Sequence, residues 1–224
     1  MHLLERLPRE AGRDFALRVL KENIINLELE PGAQISEKEL ADELGLSRTP
    51  VREALLELAK VKMIEIRPQK KSVVAPIDYD LVEESRFLRN LLECAIVEID
   101  CEMATEDDLA RLRENVRLQN FYLESNNLSQ IMALDNQFHE YLFDIAHKSQ
   151  IFTLTQDIAI HLDRVRTMAL SSVKDLKIVQ DHESILHAIE AKDAALARSL
   201  MVIHLNRYKI DAAAIKEKYP QYFS

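Results

Sequence analysis

Glycine, cysteine and tryptophan are scarce in this chain of 224 residues, which has three, two and none of them. With so little glycine, and with long runs of Leu, Glu, Lys, Arg and Ala, the sequence reads as mostly helix. The two cysteines, Cys94 and Cys101, are seven positions apart in an expected helix, hence ~10 Å apart along its axis and beyond disulfide reach. No Cys-x-x-Cys pair occurs, so reduced core thiols are expected rather than a thiolate metal site. No apolar run approaches the ~20 residues of a membrane span. Residues 1–10 mix acids with bases and have no signal-peptide core, so a cytoplasmic protein with no membrane association is expected. Neither an internal repeat nor a low-complexity tract is present.

What is present is ordinary in bulk and uneven in placement. Hydrophobic residues make up 47% and charged residues 30%, the balance of a soluble chain with room for one large or two small cores. Residues 1–77 hold 13 basic and 13 acidic side chains, whereas residues 78–224 hold 16 and 25 and so carry the whole net charge of −9. Phosphate would be repelled by the acidic portion, so any nucleic-acid contact belongs to the first.

Within that first portion, Leu46-Ser47-Arg48-Thr49-Pro50-Val51-Arg52-Glu53-Ala54-Leu55-Leu56 reads as a helix built to enter a groove. Ser47 is a good N-cap, and Pro50 falls in the first turn, where a missing N–H costs nothing. Val51, Leu55 and Leu58 recur at helical spacing and give one buried stripe. Arg48, Thr49 and Arg52 stand at the exposed N-terminal end, the part of a recognition helix that meets base edges and phosphates. A second helix precedes it over 37–44, opened by a Ser36-x-x-Glu39 capping box and followed by Gly45 in the turn. Such a pair is also an ordinary helical hairpin, and the residues after it tip the balance. Residues 63–75 switch to strand alternation, broken by Pro68-Gln69-Lys70-Lys71, which places lysines at a hairpin tip able to touch phosphate or the minor groove. Residues 46–72 have a local balance of +4, counting seven Lys/Arg against three Glu. A winged helix-turn-helix is the economical reading.

Helical periodicity covers most of the remainder. An amphipathic helix over 9–27 stops before Pro31-Gly32 and completes an N-terminal domain of residues 1–77. Residues 76–80 form a short joint. Beyond it, helices are expected over 80–103, 106–124, 129–147, 150–171, 175–191 and 193–216, with Thr105, Ser129, Ser149 and Asp193 at caps. Six helices with short loops give an antiparallel bundle over residues 78–224. On the third of them, Asp135 and His139 are four apart and share a face; His182 and His204 follow on later helices. Imidazole and carboxylate suit divalent metals, yet a histidine on an apolar face is as readily a hydrogen-bonded core residue, and spacing alone leaves both open.

Two resemblances extend this reading. Pro31-Gly32, Glu39-Leu40-Ala41, Leu44-Gly45 and the run from Ser47 to Leu55 resemble the DNA-binding domain of GntR-family transcriptional regulators. The resemblance implies base and phosphate contacts by Arg48 and Arg52, phosphate contacts by Ser47 and Thr49, and a basic contact by Lys38, with Lys70 and Lys71 in the wing. The glycines the family usually has near Lys62 and Lys71 are lysines here. Further on, Thr105-Glu106-Asp107-Asp108-Leu109, Leu134-Asp135, Phe138-His139, His182-Glu183-Ser184-Ile185-Leu186, Asp193 and His204-Leu205 resemble the FCD effector domain of the FadR subfamily. That resemblance implies a divalent ion (Zn, Ni, Mn or Fe) held by Asp135, His139, His182 and His204, with coordination positions left open for an acid's carboxylate. Arg89, paired with Glu93 in an Arg-x-x-x-Glu feature, is the expected carboxylate ligand, and Arg164 and Arg166 are weaker candidates.

The expected function is a ligand-responsive regulator, a repressor and not an enzyme, bound as a homodimer to a palindromic double-stranded operator and responsive to a small carboxylic acid. One recognition helix covers too little DNA for tight binding, which is why two half-sites are needed. The alternatives are a metal-dependent helical-bundle enzyme with a DNA-binding appendage, for which no His-Glu-x-x-His signature exists, and a purely architectural module.

Overall fold

In the computed structural model, residues 1–67, 70–172, 177–207 and 215–224 are described, without the side chains of residues 170–172. The order is α1 (Gly12–Ile25), β1 (Gln34–Ile35), α2 (Glu37–Leu44), α3 (Arg48–Lys60), β2 (Ile64–Glu65), β3 (Ser72–Val74), α4 (Tyr79–Met103), α5 (Glu106–Glu124), α6 (Leu128–Ile145), α7 (Ser149–Ser172), α8 (Ile178–Glu190) and α9 (Ala194–Asn206), with a 3₁₀ turn over Pro220–Tyr222. Mostly helical, it is a winged helix-turn-helix followed by a six-helix bundle, as the sequence implies.

Helix α2 starts where Ser36 accepts a hydrogen bond from the Glu39 amide at 3.4 Å. The reciprocal half of the expected capping box is not made, because the Glu39 carboxylate turns instead to Lys71 Nζ at 3.0 Å. Gly45, at φ +64°, ends the helix in a left-handed turn that a side chain would strain. Ser47 caps α3 with extended backbone but makes no side-chain capping bond. Its buried stripe, Val51, Ala54, Leu55 and Leu58, packs on Phe15, Val19, Leu20 and Ile24 of α1 and on Leu40 and Leu44 of α2.

The wing is a three-stranded antiparallel sheet in the order β1-β3-β2, with Gln34 opposite Val73 and Ile64 opposite Val74. Sequence alone gives the hairpin but not β1, whose two residues are too short for alternation to register. The expected tip at Pro68 and Gln69 lies outside the described residues. Lys62 adopts φ +58°. A glycine there would be unstrained, which accounts for the family's usual residue near this position.

In the bundle, Thr105 and Asp108 complete a capping box for α5, and Asp193 caps α9. Helix α6 is capped by Asn127 rather than Ser129, whose hydroxyl instead donates to Asn127 Oδ1 at 3.0 Å. Ser149 opens α7 as its first residue. Helix α8 begins at Ile178 and α9 ends at Asn206; the expected extensions to 175 and 216 fall partly on residues outside the description. Phe138, Leu142, Leu112, Val97, Ile185 and Met201 fill the bundle core, which also takes up the thiols of Cys94 and Cys101.

A third cluster ties the chain's end to the joint. Ile77 pairs in parallel with Phe223, donating its amide to the Tyr222 carbonyl at 2.7 Å, and packs with Val82, Leu162, Val165 and Met168. Among the described residues no helix is long and apolar enough to cross a membrane.

Candidate metal centre and reading helix

Helix α6 puts Asp135 and His139 one turn apart on its inner face, α8 supplies His182 and α9 supplies His204, all four buried. One donor atom from each lies within 4.8 Å of all the others. The Nε2 atoms do the converging. His139 Nε2 is 3.1 Å from His204 Nε2, which is 3.3 Å from His182 Nε2. Asp135 Oδ1 lies 3.5 Å from His182 Nε2 and 4.0 Å from His139 Nε2.

The other nitrogen of each ring faces an oxygen. His182 Nδ1 is hydrogen-bonded to Gln119 Oε1 at 2.8 Å. Gln119 Nε2 donates to Asn115 Oδ1 at 2.6 Å, and Asn115 Nδ2 donates to the Leu134 carbonyl at 3.1 Å. That chain fixes Gln119 Oε1 as an acceptor, so the network assigns the ring proton to Nδ1 and leaves Nε2 a lone pair. His139 Nδ1 lies 2.6 Å from Glu93 Oε2, and His204 Nδ1 lies 3.5 Å from Asp181 Oδ2. Phe138 stacks on the His182 ring at 4.2 Å and holds its plane.

Charge follows burial. Desolvation lowers His139 and His182 and takes His204 from 6.5 to about 4, so all three rings are neutral near pH 7. Glu93 is the reverse: burial raises it, but Arg89 and His139 more than offset this and hold it low and ionised. Asp181 likewise resists its burial through Arg207 and His204. Three neutral imidazoles and a carboxylate thus converge on one point. Two nitrogens bound to one ion at ~2.0–2.1 Å sit ~3.0–3.4 Å apart, which matches the 3.1 and 3.3 Å spacings between the Nε2 atoms here. The donor set fits a divalent ion, and the Nδ1 partners are the outer contacts that such ligands require.

Beside the cluster is a narrow cleft walled by Leu88, Leu92, Phe143 and Phe152 and edged by Arg89, Asn136, Gln156 and Arg166. Arg89 donates through Nε to Glu93 Oε1 at 2.5 Å, so one carboxylate both anchors the arginine and faces His139. Arg166 contacts the Asp135 carboxylate directly and donates to Asp163 Oδ1 at 2.6 Å and Asn136 Oδ1 at 3.0 Å. Arg166, the weaker candidate from sequence, thus touches a cluster residue itself, whereas Arg89 reaches His139 through Glu93. Arg164 is elsewhere, fully buried with Nη2 donating to the Ala75 carbonyl at 2.9 Å, just after β3.

Helix α7 consequently has two working faces. One carries Asp163 and Arg166 into the cleft. The other seats Ile160 in the core of the reading domain, joins His161 Nε2 to the Val61 carbonyl at 2.8 Å, and places Arg164 on Ala75. Lys21 of α1 adds a bond to the Gln156 carbonyl at 3.2 Å. His161 is thus a structural residue, while His147 and His187 are exposed. Gln119 and Asp181 escape sequence reasoning because their roles depend on which helices face each other.

On the reading side, Lys38, Ser47, Arg48, Thr49, Arg52, Lys70 and Lys71 are all at least partly exposed. Arg48 lies 3.5 Å from Glu37, and Lys71 bonds Glu39. Such exposed pairs contribute about 0–1 kcal/mol and exchange readily for phosphate.

Residues 14–74 match the family of bacterial regulatory proteins, gntR family, and residues 84–207 match the FCD domain. The HTH-type transcriptional repressor RspR of Escherichia coli K12 is 30% identical over 208 residues, 92% of this chain and 91% of that protein. An HTH-type transcriptional regulator in an unstable DNA locus of Streptomyces ambofaciens is 33% identical over 219 residues, 96% of this chain and 91% of its own length. The solved structure of E. coli McbR/YncC superposes with a TM-score of 0.79 at 22% identity, covering 94% of this chain and 99% of that one, a likeness of fold. A winged reading head joined to a helical bundle, matched over nearly its whole length, makes this chain a member of the GntR family of bacterial transcriptional regulators, with an FCD effector domain.

Proposed function

We propose that the protein is a cytoplasmic, metal-dependent sensor of a small carboxylic acid that represses transcription as a homodimer on a palindromic operator. Its reading domain would span residues 1–77 and its effector and dimerisation domain residues 78–224. The observation that carries the sensing half is the convergence of three imidazole Nε2 atoms, each ring oriented through its Nδ1 by an oxygen of another residue.

Asp135, His139, His182 and His204 would hold the ion, which when bound supplies a positive centre able to take a carboxylate. Arg89 and Arg166 at the edge of the cleft supply the planar donors that match a carboxylate's two oxygens. The apolar walls suit a short carbon skeleton and exclude water from the polar contacts. A ligand drawing on Arg166 bears on α7, and α7 bears on the reading domain through Ile160, His161 and Arg164. Differential contact with the two arrangements of α7 is what would change the spacing of two reading heads. A second copy is supported by exposed apolar pairs one turn apart, Phe87 with Leu91 on α4 and Leu154 with Ile158 on α7. Base and phosphate contact falls to Arg48 and Arg52, with Lys38, Ser47, Thr49, Lys70 and Lys71 on the backbone.

The test is fluorescence anisotropy with an operator selected from random duplexes, with and without Zn²⁺ and across a panel of two- to six-carbon acids. At least one acid is expected to change DNA affinity by about 5–150-fold, and only in the metal-loaded protein. Indifference to every acid, or an equal response in the Asp135→Ala His182→Ala variant, would overturn the metal-dependent reading.

A further inference from the structure

The two oxygens of Asp135 face different partners. Oδ1 points into the histidine cluster, 3.5 Å from His182 Nε2, while Oδ2 is covered by the guanidinium of Arg166. Arg166 is itself shared, with Asp163 Oδ1 at 2.6 Å and Asn136 Oδ1 at 3.0 Å on the cleft side. A buried carboxylate without a cation costs several kcal/mol. Arg166 is the one cation in direct contact with Asp135 among the described residues.

We propose that Arg166 is the internal counter-cation of the metal-free site and sets its metal affinity: the ion and the guanidinium compete for the charge of Asp135. This rests on the reading that the four-residue cluster binds a divalent ion. When the ion arrives, Asp135 turns its charge to the cluster, and the hold on Arg166 passes toward Asp163 and the cleft. The arginine that faces an incoming carboxylate is then freed by metal loading itself, so effector capture follows metal capture. Repulsion between guanidinium and ion also keeps the metal exchangeable. Arg166 is a positioning residue here, acting on the ion through Asp135.

The experiment uses the full chain stripped with EDTA, titrated with Zn²⁺ alone against a chromophoric chelator, with thermal unfolding measured in parallel. Removing a positive charge a few ångströms from a site changes proton affinity by ~1–3 units, and a dication feels the same Coulomb term. Arg166→Gln is therefore expected to bind Zn²⁺ on the order of tenfold more tightly, to melt lower when metal-free, and to gain more from Zn²⁺ than the wild type. Arg166→Lys, which keeps the charge, is expected to restore wild-type affinity. Asp163→Asn, which leaves Arg166 wholly to Asp135, is expected to bind Zn²⁺ more weakly and stands in should Arg166→Gln not fold. Equal or weaker binding by Arg166→Gln, or Asp163→Asn binding as the wild type does, would overturn the proposal. Failure of the wild type to bind Zn²⁺ would instead remove the underlying metal reading, so the two failures are distinguishable.

Discussion

Acid should destabilise the metal-free protein through its histidine cluster. Burial holds His204 at about 4 against an ordinary 6.5, and lowers His139 and His182 in the same direction. Each ring is neutral in the folded chain, while the unfolded chain takes up a proton as pH drops through the ordinary value. Stability is thus unaffected above about pH 6.5 and is lost as pH falls from there toward the folded value. One proton bound only by the unfolded state costs ~1.4 kcal/mol per pH unit, so acidification from pH 7 to pH 5 removes roughly 2 kcal/mol through His204 alone. Asp100 works in the opposite sense. Fully buried and raised to about 9 by desolvation, it favours the folded chain as pH falls, so the raw slope is a sum of opposed contributions. The His204 share is isolated by difference. Urea unfolding in EDTA at both pH values should show the wild type losing roughly 2 kcal/mol more than His204→Leu. Equal losses in the two proteins would refute the argument that burial keeps this ring neutral. Saturating Zn²⁺ should add roughly 4 kcal/mol to the wild type at ~1,000 times its Kd, and less at pH 5, because the ligands must be deprotonated.

Glu93→Gln removes the carboxylate facing His139 Nδ1, and Zn²⁺ affinity measured by chelator competition should fall ~10–100-fold with helicity unchanged. Arg52→Ala should weaken operator binding in anisotropy by ~1–3 kcal/mol per half-site, with the circular dichroism spectrum unaltered. Lys62→Gly relieves a left-handed backbone at φ +58° and should raise stability by ~0.5–1 kcal/mol in thermal unfolding. A drop in melting temperature on that substitution would mean the lysine side chain carries a contact worth more than the strain.

How much of the fold and the site is legible in the sequence depends on distance along the chain. The reading head is legible because its signals are contiguous: Ser36, Gly45, Pro50 and the Val51, Leu55, Leu58 stripe lie within two helices and one turn. Strand β1 is not, since Gln34 and Ile35 become a strand only by pairing with residues 72 and 73. Asp135 and His139 declare a shared face at four-residue spacing, whereas His182 and His204 join them only through the family resemblance. Gln119 carries no signal, because its value lies in a hydrogen bond to a ring 63 residues away on a helix packed against its own. Arg164 and Arg166 illustrate the same limit. Two residues apart on α7, they reach different domains, one the Ala75 carbonyl and the other Asp135. Ile77 reads as part of a simple joint, yet it is buried and paired with Phe223 because the end of the chain folds back onto it.

The proposed binding of one ion by Asp135, His139, His182 and His204 is tested most directly by X-ray absorption fine structure of the Zn²⁺-loaded protein. The proposal predicts scattering from three imidazoles and a carboxylate oxygen, with two imidazoles remaining in His204→Ala. A first shell containing sulfur, or a wild-type spectrum that His204→Ala leaves unchanged, would contradict it.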